Sequence, residues 1–288
     1  MLENMNTDKI KQFFSVVFGR GIIVKISFAI IILFVLAALL APVLTPYTPY
    51  EQDLTQLFAE PSAEHLLGTD NIGRDLLTRL LYGARISLVT SLFASIWGGL
   101  IGITLGLIAG YYTGFASSVI MRIIDAQLSI PSLILSMILA MVFGDSIFEI
   151  SIVIGVGAIP AYTRMVNGMV LSLKNNDYIV AASLVGQSDT KILLKHLLPN
   201  CFAPLIVIFT MSLGIAIMVE AGLAYLGVGI TPPTPAWGCM VSEGYKYLVL
   251  YPRLAILPGL CVMLVVVAFN IVGDGLRDAL DPRLRGKL

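Results

Sequence analysis

Few side chains in this sequence are of kinds that do chemistry, and their spacing says what they are not for. Cys201, Cys239 and Cys261 stand far apart with no C-x-x-C pair, and His65 and His196 are remote from each other. A zinc site gathers its nitrogen and sulfur ligands by close spacing, and a disulfide framework uses a regular cysteine set, so neither is read here. Buried thiols among apolar neighbours are the expectation. No nucleophile stands beside a base and no carboxylates are paired within the apolar stretches, so no catalysis is expected of this chain. There is no G-x-x-x-x-G-K-S/T phosphate loop: the only Gly-Lys pair, Gly286-Lys287, is followed by the terminal Leu288. Any ATP chemistry coupled to this chain belongs to another one.

What remains are charges in or beside apolar stretches, which are functional suspects because burying a charge in lipid is costly unless it pairs or snorkels. Glu220, near the outer end of its stretch, either faces a translocation path or snorkels. Arg122 and Asp125, three apart, suit an intrahelical ion pair. Asp274, Arg277 and Asp278 read as a solvated helix end, with a partner interface as second choice. Gly98, Gly102, Gly106 and Gly110 recur every four residues, forming a ridge of small residues on one helix face. Such a ridge predicts that another helix, from this chain or a partner, packs there to backbone contact.

The elements that position these residues follow from composition. The 288 residues are 57% hydrophobic and only 12% charged, with a mean hydropathy of +0.90, whereas soluble domains carry about 25% charged residues. A water-soluble globule is excluded. The 18 Lys+Arg balance 18 Asp+Glu, leaving no net field for nucleic acid or a polybasic anchor. Six stretches reach the about 20 apolar residues that a bilayer core requires: Ile22 to Val43, Ile86 to Gly110, Ser118 to Phe143, Ser146 to Tyr162, Cys201 to Ala224 and Leu254 to Val272. Lipid makes them helices, because backbone groups must pair internally. The expected fold is an all-α polytopic membrane protein with six transmembrane helices. The first run exceeds the about 7 to 15 residues of a signal h-region and is read as a retained anchor.

With the N-terminus inside, thirteen lysines and arginines are cytoplasmic and five external, so the positive-inside rule puts both termini in the cytoplasm. The organisation is then a tail over 1–21, a first span over 22–43, an extracytoplasmic segment over 44–85, a five-helix core over 86–273 and a tail over 274–288. The piece from His65 to Arg85 reads as an amphipathic surface helix or a linker. Trp237, beside Pro232, Pro233 and Pro235, suits an interfacial anchor or a gate.

The segment 175–200 is too polar to insert yet has helical periodicity. Asn176 or Asp177 caps a helix from Tyr178 to Val185, which Gly186 ends in a left-handed conformation. Ser188 or Asp189 caps a second helix from Thr190 to Leu198, and Pro199 marks the junction with the next span. An amphipathic connector on the lipid surface is one reading. Ala181, Ala182 and Gly186 bury little in lipid and permit close fit, which favours docking into a protein groove.

Val180-Ala181-Ala182-x-x-x-Gly186, then Ile192 and His196-x-Leu198-Pro199-Asn200, resembles the cytoplasmic Glu-Ala-Ala loop of permease subunits of bacterial ABC importers. Leu67-Gly68-Thr69-Asp70-x-x-Gly73-Arg74-Asp75, Tyr82-Gly83-Ala84-Arg85, Pro232-Pro233-Thr234-Pro235-x-Trp237-Gly238 and Gly273-Asp274-x-Leu276-Arg277-Asp278-x-Leu280-Asp281-Pro282-Arg283 resemble the C-type permease of the dipeptide/oligopeptide/nickel branch. The resemblance implies an importer-permease (MetI-like) fold with an added N-terminal helix, in the bacterial inner membrane. It implies a homologous second permease, two cytoplasmic ATPase subunits holding ATP and magnesium, and an external substrate-binding protein as partners, with no cofactor bound by this chain. The coupling surface it implies is Ala181, Ala182, Gly186, Ile192, His196, Pro199 and Asn200. The loop's leading acid is Val180 here, so contact rests on packing. Peptides are the implied cargo, with nickel or metal chelates and glutathione behind. The rival from another class is an ATPase-independent secondary transporter or channel, which would call for relay charges near the midplane.

Overall fold

The first apolar run forms α1 (Ile22–Leu44), a helix apolar on nearly every side that fully buries only Ser27, Ala38 and Ala41, packs Ile31 and Phe34 partly against the bundle and leaves most of its other side chains exposed. The computed structural model describes residues 21–280. Lys9, Lys11, Arg20, Arg283, Arg285 and Lys287, with most of both expected tails, lie outside the described residues. The other helices are α2 (Leu76–Tyr111), α3 (Phe115–Leu128), α4 (Ser132–Phe143), α5 (Ile147–Leu173), α6 (Asp177–Leu184), α7 (Asp189–Ile192), α8 (Leu198–Tyr225), α9 (Trp237–Tyr245) and α10 (Arg253–Leu280). Five runs are long and apolar enough to span, and the α3–α4 pair is a sixth if it counts as one.

Four spans depart from the sequence reading, the fourth because α5 runs on past Tyr162 to Leu173. The second span starts at Leu76, ten residues before Ile86, because Asp75 caps it, its Oδ1 accepting the Thr78 N–H at 2.7 Å. At 1.5 Å per residue its 36 residues make a rod of about 54 Å, well beyond a hydrocarbon core of about 30 Å. The third span is not one helix from Ser118 to Phe143: α3 and α4 meet at 93°. Pro131 has no N–H for the helical ladder and disfavours a helical Ile130, so the chain turns over Ser129–Pro131. The last span runs on to Leu280, which places Asp274, Arg277 and Asp278 within α10.

The bundle has two ends. Residues 45–75 and the segment holding α9 form one, the cap end. The termini of the described chain lie at the other: a Cβ added to Gly275 would sit 3.1 Å from Val24 Cγ1, so α10 finishes where α1 starts. Tyr112, just past α2, bonds Asp189 at that second end, while Asp145, just before α5, accepts the Thr231 hydroxyl at the cap end at 3.0 Å. The bent α3–α4 pair therefore carries the chain across the bundle, giving six crossings.

The glycine ridge of α2 lies against α5 of the same chain. A Cβ on Gly98 would fall 2.5 Å from Gly155 O, on Gly102 2.6 Å from Tyr162 Cβ, on Gly106 2.7 Å from Val166 Cβ and on Gly110 2.6 Å from Val170 Cβ. These distances leave no room for a methyl, so the two helices touch backbone to backbone over about three turns and run parallel.

Candidate functional site

The segment 174–197 projects from the end opposite the cap. Helix α6 closes as the sequence predicts: Gly186 takes φ +78°, and the N–H groups of Gln187 and Gly186 return to Ala182 O and Ser183 O at 3.1 and 3.0 Å. Beyond it the structure corrects the sequence reading. Pro199 is no junction, because α7, a π-helical turn over Leu193–Leu197 and α8 form one continuous run from Asp189 to Tyr225. Pro199 has no N–H to give Lys195 O, and the ladder widens just before it, the Leu198 N–H reaching back to Leu193 O.

The seven residues of the expected coupling surface separate into different places. Ile192 is fully buried with Ile179 and Leu197 against Val166, Val170 and Leu107, so it roots the loop rather than facing outward. His196 and Asn200 bind the loop to itself: His196 Nε2 lies 2.7 Å from Gln187 Oε1, and Asn200 Nδ2 donates to His196 O at 2.6 Å and to Tyr178 Oη at 3.5 Å. Ala182 is half-buried, whereas Ala181, Gly186 and Pro199 are exposed. The tip itself is Leu184 and Val185, 82% and 88% exposed, which sequence reasoning passed over.

Also passed over was the tie from this loop to α2. Both oxygens of Asp189 are occupied, Oδ1 by the Tyr111 hydroxyl at 2.9 Å and Oδ2 by the Tyr112 hydroxyl at 3.0 Å. Donating that bond to the carboxylate holds the Tyr112 phenol above its ordinary pKa. Lys174 Nζ adds a bond to Gly110 O at 3.2 Å, joining the ends of α5 and α2. The signal was two adjacent tyrosines directly after the glycine ridge. Asp125 pairs with Arg164 of α5 and not with Arg122 as its spacing suggested.

At the cap end, the segment expected to be a surface helix or linker folds around buried charge. Arg74, 2% exposed, bonds Asp70 through Nε and Glu243 through Nη2 at 3.1 Å. Arg79, 1% exposed, reaches Glu243 Oε2 at 2.8 Å and Asp70 Oδ2 at 3.6 Å. Gly68 and Gly73 both take φ +77°, and a side chain on either would strike the carbonyls of Ala59 or Asp53. Trp237 is not an exposed anchor: it is wholly buried, donating from Nε1 to Leu80 O at 3.0 Å and meeting Phe34 edge-on.

Glu220 is 1% exposed and turned into the packing of α8 against α2 and α9, so it does not snorkel and its carboxyl is on no free face of the chain. The Ser87 hydroxyl donates to its Oε2 at 3.1 Å while accepting the Trp237 N–H at 3.3 Å. Its Oε1 has no partner among the described residues.

Comparison with known proteins places this geometry. Residues 102–286 match the family described as binding-protein-dependent transport system inner membrane component, and residues 23–61 match the N-terminal transmembrane domain of oligopeptide transport permease C. The glutathione transport system permease protein GsiD of Salmonella paratyphi A is 40% identical over 270 residues, covering 93% of this chain and 89% of that protein. GsiD of Escherichia coli O1:K1 is 40% identical over 257 residues, covering 89% and 85%. Among solved structures, a chain of the MetNI methionine ABC transporter in an inward-facing conformation shares the fold, with a TM-score of 0.53 and 21% identity over 69% of this chain and 96% of that one. The family match over most of the five-helix core, the N-terminal match to permease C and the near full-length relatives agree: the chain belongs to the binding-protein-dependent transport system inner membrane components, as a C-type permease of the peptide/oligopeptide ABC importers.

Proposed function

We propose that this permease forms half of the translocation pathway for small peptides, glutathione among them, and that its loop 175–200 receives the motion of a cytoplasmic ATPase subunit. The end bearing that loop faces the cytoplasm, and both termini lie there. The importer is completed by a homologous second permease, two ATPase subunits that hold ATP and magnesium, and an external binding protein.

The observation that carries the coupling reading is the build of the loop: Leu184 and Val185 stand out in solvent on a helix rooted by Ile179 and Ile192. An isolated soluble surface gains nothing from such a tip, whereas a groove in a partner would bury it. Coupling further requires that nucleotide favour one orientation of the permease pair over the other, since a ligand with equal affinity for both shifts nothing. The cargo reading rests on relatives named for glutathione transport, and glutathione is itself a tripeptide.

The test is uptake of labelled glutathione, dipeptides and oligopeptides by cells with and without the chain, with a nickel chelate in parallel. Uptake of a peptide that is lost with the chain, restored by it and not restored by Gly186→Leu supports both parts. Lost metal uptake with unchanged peptide uptake would move the cargo to the chelate class. Full uptake with Gly186→Leu would end the docking assignment.

A further inference from the structure

A cavity of about 260 Å³, open on the side of the exposed Ser132, Ala161 and Ile215, is walled by α2, α4, α5 and α8 beside the bend of the α3–α4 pair. It sits below the about 300 Å³ at which pockets begin to hold whole drug-sized ligands, so it takes part of a molecule. No charged side chain lines it, and its walls are mostly aliphatic and small, with Ile154, Ile215 and Val219 among them. Tyr162 and Ser212, also in the lining, spend their hydroxyls on each other at 2.7 Å. Ser95 lines it too, buried, and its hydroxyl has no partner among the described residues. A buried hydroxyl left unpaired is destabilising, so a group brought here with an amide to offer would gain a bond that the chain alone does not make.

The cavity is kept open by a missing side chain. Gly157 is on its wall, and a Cβ there would meet only Ser136 Oγ at 3.7 Å. This is unlike the ridge glycines of α2, where helix packing forbids a methyl. Gly157 is therefore not needed for helix contact, and the space beside it is free.

We propose that this cavity is a subsite for one uncharged, apolar side chain of the passing peptide, aliphatic or aromatic, with Ser95 bonding the adjacent amide. The assignment rests on the peptide-cargo reading and adds to it a side-chain preference within the membrane, separate from the choice made by the binding protein.

The complete importer in cells is the material, and triglycine, Gly-Leu-Gly and Gly-Trp-Gly, which carry equal charge, are the probes. Comparing each variant with the parent cancels the preference of the unchanged binding protein. Gly157→Leu fills the cavity and is expected to lower Gly-Leu-Gly uptake about ten-fold relative to triglycine. Gly168→Leu, on the same helix with nothing within 4 Å of its added Cβ, should leave that ratio unchanged. Gly157→Leu should lower Gly-Trp-Gly uptake relative to triglycine as well, whereas misfolding would lower all three peptides alike. Unchanged ratios, or equal loss of all three peptides, in Gly157→Leu would overturn the subsite alone. No uptake of any peptide by the parent would overturn the cargo reading and the subsite with it.

Discussion

The two ends of this permease solve opposite problems with similar lengths of chain. At the cap end, residues 45–75 draw charge inward: Arg74 and Arg79 are buried against Asp70 and Glu243, and the polar groups answer one another within the chain. At the other end, residues 174–197 push apolar side chains outward, and Leu184 and Val185 have no cover. Burying charge demands full pairing, and leaving large apolar groups in solvent is tolerated only where something will cover them. The cap is thus closed around its charges by this chain, although Leu54, Leu66 and Val249 stay bare there too, whereas nothing among the described residues covers the loop tip.

The contrast can be broken most directly at the cap. Arg79→Ala leaves Asp70 and Glu243 to Arg74 alone, and loss of one partner from a buried ion pair typically costs about 3–5 kcal/mol. The variant should unfold at markedly lower temperature or fail to accumulate, and an unchanged melting temperature would mean that the cap is not held by charge. Next in size is the contact of α2 and α5 that connects the ends. Gly102→Ala places a methyl 2.6 Å from Tyr162 Cβ and 2.7 Å from Ile159 O, and overpacking of this kind costs about 1–3 kcal/mol, readable in the same melt. Smallest in stability is the loop tip. Leu184→Ser with Val185→Ser should change the melt by less than about 0.5 kcal/mol, as exposed sites do, yet abolish co-purification of the ATPase subunit. A large loss of stability there would make the tip part of the chain's own packing.

Thiol labelling sharpens the same contrast without loss of fold. Burial pushes the Cys239 thiol, in α9 at the cap end, up to about 12, so it stays protonated and unreactive at neutral pH and gains thiolate only in strong alkali. A Val185→Cys variant should react with maleimide at pH 7.5 while Cys239 does not, and shielding of the new thiol when the ATPase subunit is bound would place the contact. Equal reaction at both positions would show that the cap is not closed.

Much of the bundle was legible because lipid imposes a simple rule: long apolar runs become helices, and five such runs and the interrupted third one stand where the sequence puts them. The start of α2 was hidden because Asp75, Arg79 and Arg85 look like a loop to hydropathy, although Asp75 is a cap and Arg79 is neutralised by neighbours elsewhere. Glu243 was invisible as a partner of Arg74 because 169 residues separate them. A separation of 133 residues likewise hid Ser87 from Glu220. In the loop, Gly186 was readable since a left-handed turn selects its residue type, while the outward tip was not, because periodicity shows which residues share a helix face and not which face the fold leaves bare. The ridge predicted close packing but not its partner, since small residues say how near a helix comes and nothing of whose it is.

The length of α2 has one more consequence. Its first turn is gripped by the cap through Arg79, its last meets Asp189 through Tyr111, and between them it is welded to α5 along the glycines. A beam of about 54 Å that tilts by about 5° swings one tip by about 5 Å relative to the other. On the proposed coupling, a small rocking beneath the loop would be geared into a displacement at the far end of α2 about as wide as a helical turn is tall.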